Sequence, residues 1–147
     1  MRWSGPAVIA PDTSVLVAGF VPGHRFHGAA ASALAEVRAE GCLVAHTLAE
    51  TFAVLSAPSG PYRVEPGAVV VYLDQFLDRA PVQPRHGAYR EALGLLADRN
   101  RAGGVVYDAL IALAARDAGA TLVSLDLRAE STYAACGIEA RLLVADY

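Results

Sequence analysis

The stretch Val8-Ile9-Ala10-Pro11-Asp12-Thr13-Ser14-Val15-Leu16 constrains the fold more than any other part of this chain. It opens as a short apolar run with β-branched residues, too short for a helix, and so predicts a fully buried strand. The run ends on an acid, two small hydroxyls follow, and apolar residues resume as a helical turn from Ser14. Asp12 therefore falls where a central parallel strand gives way to a helix. That is the carboxyl edge of the sheet, where open α/β sheets bind ligands. For one acid alone, Asp12 or Ser14 capping the next helix is an equally complete account. The choice turns on whether the pattern recurs.

It recurs twice. Cys42-Leu43-Val44-Ala45 leads through His46 and Thr47 to Glu50, and Thr121-Leu122-Val123-Ser124-Leu125 closes on Asp126. Residues 80–82 form a brief extended piece and 140–144 a last strand. Helical spacing predicts helices over 14–20, 27–40, 65–77, 89–101, 108–115 and 128–136, with another opening at Thr47. Gly41, Gly103-Gly104, Gly119 and Gly137 punctuate them. In the helix over 89–101, Leu93, Leu96 and Ala97 are expected to face inward. Strands alternating with helices imply a parallel sheet covered on both faces, hence a three-layer α/β/α sandwich. The 147 residues suit a single domain, 1–147, with a substantial core.

In a parallel sheet the three strand ends share one edge, so Asp12, Glu50 and Asp126 can converge although far apart in sequence. Asp108 joins them from the start of a helix after the Gly103-Gly104 loop. Each acid also has a structural account. Thr47-x-x-Glu50 has the pattern of a capping box, and Asp108 and Asp126 can cap the helices that follow. The conjunction weighs the other way, because four carboxylates on one edge repel unless a cation neutralises them. Oxygen-only ligands suit Mg²⁺ or Mn²⁺. Such a cluster is a phosphodiester-cleaving site, in which the ion activates water and a second ion, where one is present about 3.5–4 Å away, steadies the leaving oxygen.

Net charge is −3 and all twelve basic residues are arginine, so bulk attraction does not draw nucleic acid. Neutralising four of the fifteen acids with metal would bring the balance close to zero. Hydrophobic residues make up 54 % of the chain. No apolar run reaches the roughly 18 residues that would span a membrane. Residues Met1-Arg2-Trp3-Ser4-Gly5-Pro6 lack a signal peptide's apolar core, which predicts a cytoplasmic protein. Cys42 and Cys136 have no metal or redox spacing and are expected as buried free thiols. His24 and His27 lack a close third ligand, and His46, near Glu50, is not ranked as one. Asp12-Thr13-Ser14 lacks the second acid of an aspartyl phosphotransferase, since Ser14 stands in its place. Val69, Val70, Tyr72, Leu73, Phe76 and Leu77 offer more apolar helix surface than a small sheet can cover, which predicts an interface.

Taken in order, Asp12-Thr13-Ser14-Val15-Leu16, Glu50 at a helix start, Tyr107-Asp108-Ala109-Leu110-Ile111-Ala112 and Thr121-Leu122-Val123-Ser124-Leu125-Asp126 resemble the successive motifs of the PIN domain. More narrowly, the chain resembles the VapC-type toxin ribonucleases of bacterial toxin–antitoxin pairs. The resemblance implies a five-stranded parallel sheet and a Mg²⁺- or Mn²⁺-dependent endoribonuclease. It implies that Asp12, Glu50, Asp108 and Asp126 bind the metal, with Ser14 and Ser124 beside it. It also implies a homodimer and a VapB-like antitoxin partner whose C-terminal segment enters a groove beside the site. Many relatives carry an aromatic after the last acid, where this chain reads Leu127-Arg128-Ala129-Glu130. Arg25 and Arg128 are candidate RNA-phosphate contacts, against the alternative of solvated surface arginines. The competing function is a catalytically idle PIN-like module that binds RNA or protein.

Overall fold

Asp12 does stand at a strand-to-helix junction. In the computed structural model, which describes residues 8–144, strand β1 (Ile9–Pro11) is followed at once by Asp12 as the N-cap of helix α1 (Thr13–Phe20). The signal-peptide reading of Met1 to Pro6 lies outside the described residues. Helices α2 (His27–Glu40), α3 (Ala45–Ser56), α4 (Pro66–Asp74), α5 (Ala88–Asp98) and α6 (Val105–Asp117) follow. Strand β2 (Thr121–Ser124), helix α7 (Glu130–Ala135) and strand β3 (Arg141–Leu142) complete an α/β fold.

The sheet has three strands in the order β1-β2-β3, all parallel, with Ile9 opposite Thr121 and Val123 opposite Arg141. The expected five strands are not formed. Residues 42–44 and Val82 are extended, but they meet only in one parallel bridge, Val44 to Val82. Cys42 N–H donates to Ile9 O at 3.0 Å and Val82 N–H to Leu43 O at 2.8 Å, which lines them up beside β1 without a ladder. The cause is local: α3 begins at Ala45, directly after the first segment, and Pro81 and Pro84 flank Val82 without a donor. Gly41 makes the approach possible. A Cβ there would lie 2.5 Å from Ile9 O and 2.7 Å from Val37 Cα.

Side chains alternate across the sheet, as strand geometry requires. Ala10, Leu122, Cys42 and Val44 enter one apolar cluster with α5, α6 and α7, and Ile9, Val123 and Leu43 enter another with α1, α2 and α4. Helices therefore cover both faces. Each fully buried Leu or Val contributes roughly 1.5–3 kcal/mol, so the two-sided burial holds the strand ends, and the acids on them, in place. Cys42 and Cys136 are buried free thiols, as expected.

Two packing expectations change. On α5 the inward stripe is Ala88, Ala92 and Leu96, spaced by four, while Leu93 is 61 % exposed and Ala97 also faces out. Leu93 sits one residue, about 100°, off that stripe. On α4, Val69, Tyr72 and Leu73 are buried, as is Phe76 just beyond it. The surplus apolar surface shrinks to Val70 and Val71.

Candidate active site

The N-cap position brings Asp12 to the end of β1, and the fold buries it to 3 % exposure. Its carboxylate is held by donors from three parts of the chain. Oδ1 accepts from the Ser14 hydroxyl and from Val15 N–H at 3.4 Å. Oδ2 accepts from the Ser124 hydroxyl and from Tyr133 OH at 2.7 Å. The serines are anchored in turn: Leu125 N–H donates to Ser14 Oγ and Asp126 N–H to Ser124 Oγ, each at 2.9 Å. Two relays thus join the end of β2 to the start of α1, and hydrogen bonds in such chains reinforce one another. Burial pushes the Asp12 carboxyl up, opposed by the donors from Ser124, Ser14, Tyr133 and Val15. Burial, with the carboxylates of Asp12, Asp108 and Asp126 nearby, also raises the Tyr133 phenol, which therefore stays a donor.

Asp108 lies in the first turn of α6, which starts three residues earlier than expected, so it does not cap the helix. Its carboxyl is pushed up to about 6, first by burial, then by the charges of Glu50, Asp126 and Asp12, with Arg101 opposing. Glu50, Asp126 and Asp12 therefore all act on Asp108 electrostatically. Among the described residues no three Asp, Glu, His or Cys side chains close into a metal cage.

The capping box at Thr47 and Glu50 does not form. Helix α3 begins at Ala45 without a side-chain cap, and the buried Thr47 hydroxyl donates to Val44 O at 2.7 Å. Glu50 instead faces His46, whose Nε2 is 3.7 Å from Glu50 Oε2. The His46 ring stacks on Tyr107, with centroids 4.9 Å apart and planes 9° from parallel. Asp126 Oδ1 accepts Arg128 N–H at 2.9 Å and lies 3.8 Å from Arg128 Nε.

A cleft of about 530 Å³ opens beside Glu50, Asp126 and Ser14. Arg128 lines it with a 96 % exposed side chain, and Arg25 lies over the ring of Phe26, another lining residue. His24 and His27 each commit Nδ1 to the backbone, at Phe26 N and Ala18 O, and do not form a ligand pair. Tyr133 and the His46–Tyr107 stack are absent from the sequence-derived site. Nothing local marks them: Tyr133 reads as an ordinary core aromatic in a helix.

The donor set is oxygen-only and carries more negative charge than its surroundings neutralise, which fits a hard divalent cation. Comparison with known proteins identifies the family. Residues 9–135 match the PIN domain. Ribonuclease VapC40 of Mycobacterium tuberculosis is 40 % identical over 136 residues, covering 92 % of this chain and 99 % of that protein. Ribonuclease VapC27 of the same organism is 35 % identical over 131 residues, covering 88 % and 93 %. The crystal structure of FitAcB from Neisseria gonorrhoeae superposes with a TM-score of 0.68 at 16 % identity, over 92 % of this chain and 98 % of that one, and so shares the fold. With the family matched over nearly the whole chain and all four acids present, this chain belongs to the PIN-domain family, in its VapC-type ribonuclease branch.

Proposed function

We propose that this protein is a Mg²⁺- or Mn²⁺-dependent endoribonuclease and the toxin member of a toxin–antitoxin pair. The observation that carries the reading is the match of residues 9–135 to the PIN domain and of nearly the whole chain to VapC ribonucleases. Asp108, raised to about 6 first by burial and then by Glu50, Asp126 and Asp12, is consistent with a site that a cation would relieve. Asp12, Glu50, Asp108 and Asp126 would hold the cation. A bound ion supplies the positive charge that activates water and offsets charge building on the phosphodiester.

The chain's own residues do the rest. Ser14, Ser124 and Tyr133 hold the Asp12 carboxylate in one orientation before substrate arrives. Glu50 and Asp126, on the cleft side, border the space where the phosphate would lie. Arg128 at the rim supplies a cation suited to a neighbouring phosphate.

The same carboxylates suit capture by a basic side chain from an antitoxin's C-terminal segment, which would compete with metal. The relatives named VapC ribonucleases support an antitoxin partner. Exposed Val70 and Val71 leave an apolar strip for a second copy in a homodimer. Among the described residues no helix is long and apolar enough to cross a membrane.

Purified protein incubated with single-stranded RNA should cleave it with Mg²⁺ or Mn²⁺ and stop in excess EDTA. Undiminished cleavage in the chelator would refute the metal. RNA bound but never cut, with either ion, would favour the idle module.

A further inference from the structure

We propose that the cleft beside the acids is a nucleobase subsite, in which one base of a single-stranded RNA stacks on the rings of His24, Phe26 and Tyr62. This rests on the ribonuclease reading and adds the place where the substrate is gripped.

The volume of about 530 Å³ falls in the range of small-molecule sites. Because Glu50, Asp126 and Ser14 line it, an occupant of the cleft adjoins the proposed metal edge. The rings come from two separate connections. His24 and Phe26 lie between α1 and α2, and Tyr62 lies between α3 and α4. Three flat rings meeting at one hollow, with aliphatic Val17 and Val54 among them, make a stacking surface, which every base can use whatever its sequence. His24 and Phe26 are tilted by 46° with centroids 6.1 Å apart, so they are not stacked on each other.

Polar groups around the rings match a nucleotide. His24 Nδ1 accepts Phe26 N–H at 3.0 Å, which leaves Nε2 as the donor of the neutral ring. Thr13 also lines the cleft. The His24 Nε2–H is a donor that an acceptor on a base edge can satisfy. The Arg25 guanidinium lies 5.1 Å from the Phe26 ring centroid, and Arg128 lines the cleft near Asp126. Guanidinium groups beside aromatic rings suit the alternation of phosphate and base in single strands.

The test is an abasic scan. A short single-stranded RNA is cut in Mg²⁺ alongside versions in which one nucleotide at a time lacks its base. With wild-type protein, one position beside the cut should lose about 10- to 100-fold in kcat/KM. Tyr62→Ala and Phe26→Ala should lower kcat/KM on intact RNA by raising KM, and removing that same base should then cost nothing more. Phe26→Leu replaces Phe26→Ala if the latter does not fold, since it keeps apolar volume and loses the ring. Full, multiplicative losses in the variants overturn the subsite. A flat scan with wild-type protein also overturns it, and leaves the cleft to a partner's peptide. If the wild type cuts no RNA, the ribonuclease reading fails separately. The subsite is then read from 2-aminopurine placed in the same RNA: quenching by wild type but not by Tyr62→Ala supports it, and no quenching overturns it.

Discussion

The two sides of the carboxylate site are built in opposite ways. At Asp12 the acid is buried, and its side-chain donors come from residues 2, 112 and 121 positions away. At Glu50 and Asp126 the side chains are 28 % and 36 % exposed, and their partners, His46 and Arg128, are four and two residues away. One wall is fixed by the whole fold before anything binds, and the other is a rim that water and ligand can rearrange. A preorganised wall gives orientation, because groups locked by their neighbours lose nothing on binding. A partly exposed rim gives entry. The difference predicts that substitutions along the wall act on chemistry and metal affinity, while substitutions at the rim act weakly.

The largest effect is expected at the wall. Asp12→Asn should lower cleavage by at least about a thousandfold, since charge stabilisation at the phosphate is worth several kcal/mol. Circular dichroism should show the fold intact. In EDTA the loss of a buried charge and the loss of an acceptor for Ser124 and Tyr133 oppose each other, so the melting temperature should change by no more than a few degrees. Cleavage retained in the variant would make Asp12 a structural cap and nothing more.

Next come the donors behind it. Tyr133→Phe and Ser124→Ala each delete one hydrogen bond to Asp12 while keeping the packing nearly unchanged. Loss of such a supporting contact costs about 10–100-fold in metal affinity or activity. His46→Ala, its counterpart on the rim, should cost only about two- to threefold, since exposed ion pairs are worth little. Mn²⁺ titrations of the three variants decide it, and equal losses would erase the distinction between wall and rim.

A smaller effect concerns stability and pH. Asp108 holds its proton up to about pH 6 in the folded protein, against an ordinary value of 3.8. The folded state therefore binds the proton more tightly. Without metal, stability should be undiminished below about pH 4, fall as pH rises to about 6, and stay lower above that. Asp108→Asn should flatten this slope. After solvent screening it should raise stability at pH 7 by about 1 kcal/mol, or about 2–4 °C in Tm. Thermal melts in EDTA from pH 4 to 7.5 measure it, and a slope unchanged in the variant would place the repulsion elsewhere.

The smallest effect belongs to Arg128→Ala. Its exposed side chain should contribute about twofold to kcat/KM at low salt and nothing measurable at high salt. A tenfold loss that survives high salt would move Arg128 from the rim into the machinery.

The acids themselves were legible in the sequence because each is marked locally. An apolar run that ends on Asp12 or Asp126 states where a strand stops, and the sheet's parallel order puts such stops on one edge. The helices were legible for the same reason, with their boundaries moved by a few residues from α3 to α7. The capping-box pattern at Thr47 misled because four residues cannot say where a helix begins. Val44 and the bridge to Val82 start α3 two residues earlier and turn the Thr47 hydroxyl back onto the chain.

Sequence alone, then, determined the alternation of helices with parallel strands and where β1 and β2 end on Asp12 and near Asp126, since periodicity and residue chemistry are local properties. Tertiary structure decided how many strands pair, which face of α5 is buried, and what holds Asp12. The Tyr133 hydroxyl reaches that carboxylate from 121 residues away only because α6 and α7 pack on the face of the sheet next to it. Contacts of that range depend on where whole elements come to rest, and no short stretch of residues records that position.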